Sequence, residues 1–62
     1  MNNHFTPKEI RALRDSLKLT QSQFARKLKI DVITVSRWER GAQRPSELAQ
    51  RQLQRLHRKN NG

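Results

Sequence analysis

Side chains able to do covalent chemistry are scarce in this 62-residue chain. It contains no cysteine, which removes disulfides, thiolate metal sites and thiol nucleophiles together. Its two histidines, His4 and His57, are isolated near opposite ends and read as surface residues. The five acids, Glu9, Asp15, Asp31, Glu39 and Glu47, are too scattered to suggest a paired-carboxylate site. The expectation is therefore no enzyme: no catalytic residue, no cofactor and no metal. What the chain has in quantity is cation, 14 Lys and Arg for a formal net charge of +9, which points to a polyanion without saying which. One line of these cations has a specific pattern. Ile33, Arg37 and Arg40 recur at i, i+4 and i+7, which puts them on one helical face opposite Val35, with Val32 and Ser36 beside the line. A merely solvated face would carry Glu, Lys or Gln. β-Branched apolar groups interleaved with guanidiniums suit a surface offering methyl groups and paired acceptors. A major groove offers both, as thymine methyls and guanine O6/N7.

Such a face needs a fold behind it, and the composition makes that a real question. Only 32% of the residues are hydrophobic, and low hydrophobicity with high net charge is also the signature of disorder. Below roughly 70–80 residues a core seldom supplies more than ~3–5 kcal/mol. Disordered tails, however, lack capping chemistry in register with apolar periodicity, and here the two coincide four times. Thr6-Pro7-Lys8-Glu9 reads as an N-cap, a proline at the first helical position and a capping-box glutamate, with Phe5 and Ile10 at the spacing of a hydrophobic staple. Thr20 with Gln23 repeats the device, with Leu19 and Phe24 as the staple. Asp31, flanked by Ile30 and Val35, and Ser46, following Pro45, are the third and fourth N-caps. Gly41 closes the third segment as a left-handed residue, with Ala42 to Pro45 as the loop that follows.

These signals predict an all-α chain forming one domain over 1–62, with helices at about 7–18, 20–28, 31–40 and 46–58 and a frayed tail at 58–62. The expected core is Ile10, Leu13 and Leu17; Phe24, Ala25 and Leu28; Val35 and Trp38; Leu48, Ala49, Leu53 and Leu56; and the staple residues Phe5, Leu19 and Ile30. Trp38 is read as a core residue with a wet edge. No apolar run approaches the ~20 residues of a membrane span, and no signal-peptide apolar region follows Met1. The absence of cysteine agrees with a reducing, cytosolic setting.

The second and third helices are separated by about three residues, the dimension of a helix-turn-helix, in which the second helix enters the groove and the first crosses the backbone. Leu19-Thr20-Gln21-Ser22-Gln23-Phe24-Ala25, followed by Ile30-Asp31-Val32-Ile33-Thr34-Val35-Ser36-Arg37-Trp38-Glu39-Arg40-Gly41 and then Arg44-Pro45, resembles the helix-turn-helix domain of the phage repressor/Cro family. The resemblance covers about residues 8–56. Among members of that family, the chain looks similar to small antitoxin-like autoregulators of toxin–antitoxin operons.

The resemblance implies a compact four-helix, lambda-repressor-like domain. It implies a sequence-specific regulator of transcription, a repressor or autoregulator that binds a palindromic operator in double-stranded DNA as a homodimer. The setting implied is a bacterial or phage-encoded protein of the cytoplasm, associated with the nucleoid and not with a membrane. Carried over residue by residue, Val32, Ile33, Ser36 and Arg37 match base-reading positions. Gln21, Thr34, Arg40, Gln43 and Arg44 match or adjoin phosphate-binding positions. Arg14 and Glu39 match a partly buried ion pair between the first and third helices. Lys29 stands where the family usually has glycine, which would cost about 1 kcal/mol in a left-handed conformation. A fifth helix, which builds the dimer interface in many members, is not expected within residues 1–62. Arg51, Arg55 and Arg58 line another face of the fourth helix, read as solvated.

Two other readings compete. In one, the exposed Val32/Ile33 surface binds a toxin or another protein partner, making the chain an antitoxin or adaptor module. In the other, the chain is a basic amphipathic binder of RNA or membrane surfaces. That one is disfavoured because an internal core consumes the apolar residues and leaves no long face for lipid.

Overall fold

The structure, a computed structural model, describes residues 5–61. Four helices follow in order: α1 (Pro7–Ser16), α2 (Gln21–Leu28), α3 (Val32–Arg40) and α4 (Glu47–Asn61). Among the described residues there is no strand, and no helix is long and apolar enough to cross a membrane. His4 and Gly62 lie outside the described residues.

The starts of the helices are local chemistry. Thr6 Oγ1 accepts from the Glu9 N–H at 3.2 Å while Glu9 Oε1 accepts from the Thr6 N–H at 2.9 Å. Thr20 and Gln23 form the same reciprocal pair, at 3.1 and 2.9 Å. Ser46 Oγ accepts from the Ala49 N–H at 3.2 Å at the head of α4. Each satisfies donors that the first turn cannot satisfy by itself. Asp31 departs from expectation. It occupies the N-cap position of α3 with extended backbone, but its side chain makes no cap hydrogen bond.

The ends are as regular as the starts. Gly41, at φ 76°, is left-handed, and the amides of Gly41 and Ala42 donate back to the carbonyls of Trp38 and Arg37. An added Cβ at Gly41 would meet only Pro7 Cγ, at 3.7 Å, so glycine is required there for its backbone conformation rather than for space. Lys29, at φ 59°, closes α2 identically, with Lys29 and Ile30 donating to Arg26 and Ala25. Lys18, at φ 58°, closes α1, with Lys18 and Leu19 donating to Asp15 and Arg14. This left-handed Lys18 is why α1 ends at Ser16, short of the expected 18. The sequence does carry its signal. Leu17-Lys18-Leu19-Thr20 and Leu28-Lys29-Ile30-Asp31 are the same apolar–lysine–apolar–cap pattern. Both lysines hold a conformation that an L side chain disfavours. Lys18→Gly and Lys29→Gly are each expected to raise stability by about 0.5–1 kcal/mol, relieving the Cβ strain net of glycine's larger unfolded entropy. Chemical denaturation of the two variants checks this. A loss of stability in both would show that these turns carry no such strain.

The core is Ile10, Leu13, Phe24, Ala25, Leu28, Val35, Trp38, Ala49 and Leu53, with Phe5, Leu17, Leu19, Ile30 and Leu56 packed partly buried against it. α3 packs on both α1 and α2 and so sits at the centre of the fold. Three expectations need correction. Leu48 is 66% exposed, because the inward stripe of α4 runs through Ala49, Leu53 and Leu56 at i, i+4 and i+7, and Leu48 lies off it. Trp38 has no wet edge: it is 3% exposed, and its buried indole N–H finds no acceptor among the described residues. α4 remains helical to Asn61, past the expected end at 58. Gln50 was missing from the expected interior. It is buried, and its Oε1 accepts from the Phe5 N–H at 2.7 Å, tying the N-terminal segment to α4.

Candidate functional site

α3 is buried on one side by Val35, Trp38 and Glu39, and this fixes what its other side shows. Val32 is 40% exposed and Ile33 59%, both large for apolar side chains in a chain so poor in them. Arg37 and Arg40 are exposed beside them, and Ser36 and Thr34 are half-buried at the edges of the face. The exposed Arg37 side chain makes no hydrogen bond or ion pair among the described residues, so its guanidinium is available to an outside ligand. Arg40 lies back along its own helix, with Nε 3.4 Å from the Ser36 carbonyl.

Two neighbouring elements flank this face, and each is registered to α3 by specific bonds. On one side, Gln21 stands half-buried at the first position of α2, and its Nε2 donates to Glu39 Oε1 at 3.2 Å. The second proton of that amide remains to serve another acceptor. On the other side, the loop after α3 turns back, with the Ala42 and Gln43 amides donating to the Arg37 carbonyl at 2.9 and 3.3 Å. Gln43 and Arg44 are exposed on that loop and line an open groove of about 520 Å³ beside Trp38 and Gly41. The base-reading and phosphate-binding candidates named from sequence are therefore on adjoining segments. The loop set is held to the same residue, Arg37, that leads the exposed face.

Beneath the face lies the ion pair. Arg14 Nε donates to Glu39 Oε2 at 2.7 Å and Arg14 Nη2 to Glu39 Oε1 at 3.0 Å, the two-pronged geometry that matches a guanidinium to a carboxylate. Arg14 Nη1 also donates to the Leu19 carbonyl at 3.0 Å, so one side chain ties α1, the connection into α2, and α3. Arg11 Nε approaches Glu39 Oε1 at 3.7 Å from a largely exposed side chain. Spacing alone could indicate neither the Leu19 carbonyl nor the contributions of Arg11 and Gln21 to Glu39.

Burial is the largest single influence on the Glu39 carboxyl and pushes its pKa up. The hydrogen bonds from Arg14 and Gln21, with the charges of Arg14 and Arg11, outweigh it and hold the group below the usual carboxylate range. For Arg14 the hydrogen bond to Glu39 dominates and raises the guanidinium pKa further. Glu39 is thus ionised, neutralised and almost wholly inaccessible, so the acid nearest the exposed arginines does not oppose an anionic ligand. Among the described residues, no three His, Asp or Glu side chains come together to hold a metal ion.

The model of the helix-turn-helix family matches residues 10–56, which span all of α2 and α3 and most of α1 and α4. No curated protein and no solved structure matches the chain.

Proposed function

From the fact that this chain belongs to the Cro/CI-type helix-turn-helix family, and is as such a DNA-binding regulator of transcription, we propose that it is a repressor or autoregulator. It recognises a palindromic operator in double-stranded DNA as a homodimer, with α3 in the major groove. The observation that carries this reading is the outward face of α3. Arg37, unpaired among the described residues, stands beside exposed Val32 and Ile33, while the one acid on the helix is neutralised from behind. In this assignment Arg37 reads a guanine edge, and Val32 and Ile33 meet thymine methyls, with Ser36 at the margin. Gln21, Thr34, Arg40, Gln43 and Arg44 contact phosphates on either side, where they set register and affinity without reading sequence.

A two-fold dimer puts its recognition helices about 34 Å apart in successive major grooves. Selection of bound duplexes from a random pool is therefore expected to return an inverted repeat with one dominant half-site. Binding that enriches no sequence would overturn the assignment.

The exposure of Val32 and Ile33 also favours a second reading, in which this face meets a toxin or another protein. A partner captured equally well with and without nuclease, by a protein that selects no DNA sequence, would establish that reading instead.

A further inference from the structure

We propose that Asp31 is a specificity residue, whose carboxylate accepts a hydrogen bond from the N4 amino group of a cytosine at the edge of the half-site. This rests on the DNA-binding reading above. Asp31 immediately precedes Val32 and Ile33, at the leading end of the recognition helix, and it is exposed. In an N-cap position an aspartate ordinarily turns its carboxylate onto the first-turn amides. Thr6, Thr20 and Ser46 all turn inward in this way. Asp31 does not. The Thr34 amide, which a capping side chain would take, donates instead to its backbone carbonyl at 3.0 Å. The Val35 amide makes the ordinary helical bond to that carbonyl at 3.4 Å, as at the other three helix starts, and the carboxylate is left without a hydrogen bond among the described residues.

It also lacks a cation among the described residues, in a chain with 14 of them. Glu9 is bonded in a capping box, Asp15 lies 3.9 Å from Arg14, and Glu39 is enclosed by Arg14, Gln21 and Arg11. Glu47, in the first turn of α4, shares the lack of a partner among the described residues but belongs to a different helix. The pairing at the interior end of α3 removes a negative charge from the face, whereas the acid at its leading end remains available.

The chemistry of the groove then selects the partner. Guanine presents O6 and N7 and thymine presents O4, all acceptors that repel a carboxylate. Adenine presents an amino donor, but directly beside its N7 acceptor. Cytosine N4 is the donor without an adjacent acceptor on the same base, and it is the group a carboxylate suits. Against any other base the unpaired charge faces acceptors and phosphates, so Asp31 sharpens discrimination by opposing the wrong sites.

The test is duplex selection with the wild type and with Asp31→Asn, from the same pool, followed by titration on duplexes altered one base pair at a time. Asparagine caps a helix as well as aspartate, so the variant is expected to melt with the wild type. The wild type should enrich a cytosine at one position of each half-site and lose about tenfold in affinity when that pair alone is changed to T·A. Asp31→Asn should lose that preference, or move it to adenine, whose donor and acceptor an amide can match, and leave the other positions unchanged. It should also bind scrambled duplexes more tightly, having lost one negative charge. Identical motifs and identical single-base penalties for the two proteins would overturn the proposal. So would loss of the whole motif by a variant that melts like the wild type. A wild type that enriches no motif removes the DNA-binding reading itself, an outcome distinct from both, and the proposal goes with it.

Discussion

Arg14→Ala is expected to lower stability by about 2–3 kcal/mol, whereas Arg11→Ala is expected to lower it by no more than about 0.5. The two arginines approach the same carboxylate, but their situations differ. Arg14 makes both short bonds to Glu39 and a third to the Leu19 carbonyl, and its side chain is 17% accessible. Arg11 is 59% accessible and stands off at 3.7 Å, the geometry of a surface pair worth little. Removing Arg14 leaves a carboxylate with 3% accessibility facing only Gln21 and a distant cation, and leaves the Leu19 carbonyl without its donor. Loss of one partner of a fully buried pair costs about 3–5 kcal/mol. The figure here is lower because Arg14 is partly open to water and Arg11 can move inward. For a domain of this size, a loss of 2–3 kcal/mol corresponds to a fall in melting temperature of roughly 8–24 °C. Equal midpoints for the two variants would refute the assignment.

The same pair sets a pH signature. The folded pKa of Glu39 lies below its unfolded value, so its contribution is present above the ordinary carboxylate range and is lost as pH falls through the folded pKa. Without Arg14, burial prevails and the folded pKa rises, so the variant is penalised most where Glu39 is ionised. The stability gap between wild type and Arg14→Ala is therefore expected to narrow on acidification from neutral pH to about pH 3, below the ordinary Glu value. A gap independent of pH would mean that Arg14 acts through packing or the Leu19 bond rather than through charge.

Arg37→Ala is expected to act on recognition without comparable loss of stability, because its guanidinium has no partner among the described residues. Discrimination at one base position should relax by about 1–3 kcal/mol, while affinity for scrambled duplexes changes little beyond the loss of one charge. Arg44→Ala should do the reverse. It should weaken binding to all sequences alike and reduce the salt dependence of log K by about one unit, as expected for a lost phosphate contact. Titrations of both variants on specific and scrambled sites, at several salt concentrations, separate the two roles. Indistinguishable behaviour would show that the division between base and phosphate contacts is misplaced.

Much of this molecule is readable locally, and the readable parts share a physical reason. A capping box spans four residues, a Schellman turn six, and an amphipathic stripe two turns. Each is decided by side chains close together along the chain. Thr6, Thr20, Ser46 and Gly41 therefore behave as their sequence contexts require, and the Ile33–Arg37–Arg40 line falls on the outer face of α3 as its spacing predicts. Lys18 was equally legible through its likeness to the Lys29 turn. Leu48 is exposed despite its hydrophobicity, because its phase in α4 lies off the stripe of Ala49, Leu53 and Leu56.

The remaining features required three helices to meet. Arg14 and Glu39 are 25 residues apart, and no periodicity relates them; only resemblance to a family did so. That Arg14 would also bind the Leu19 carbonyl, that Gln21 would share the carboxylate, and that Gln50 would hold the Phe5 amide all depend on where neighbouring backbones come to rest. The sequence by itself determined the elements, where they start, and the residue types on the face of α3. Only the tertiary structure decided which polar groups were consumed. Glu39 is enclosed while Arg37 and Asp31 remain available, because satisfying a buried charge takes partners from several elements at once, and those partners exist on only one side of α3.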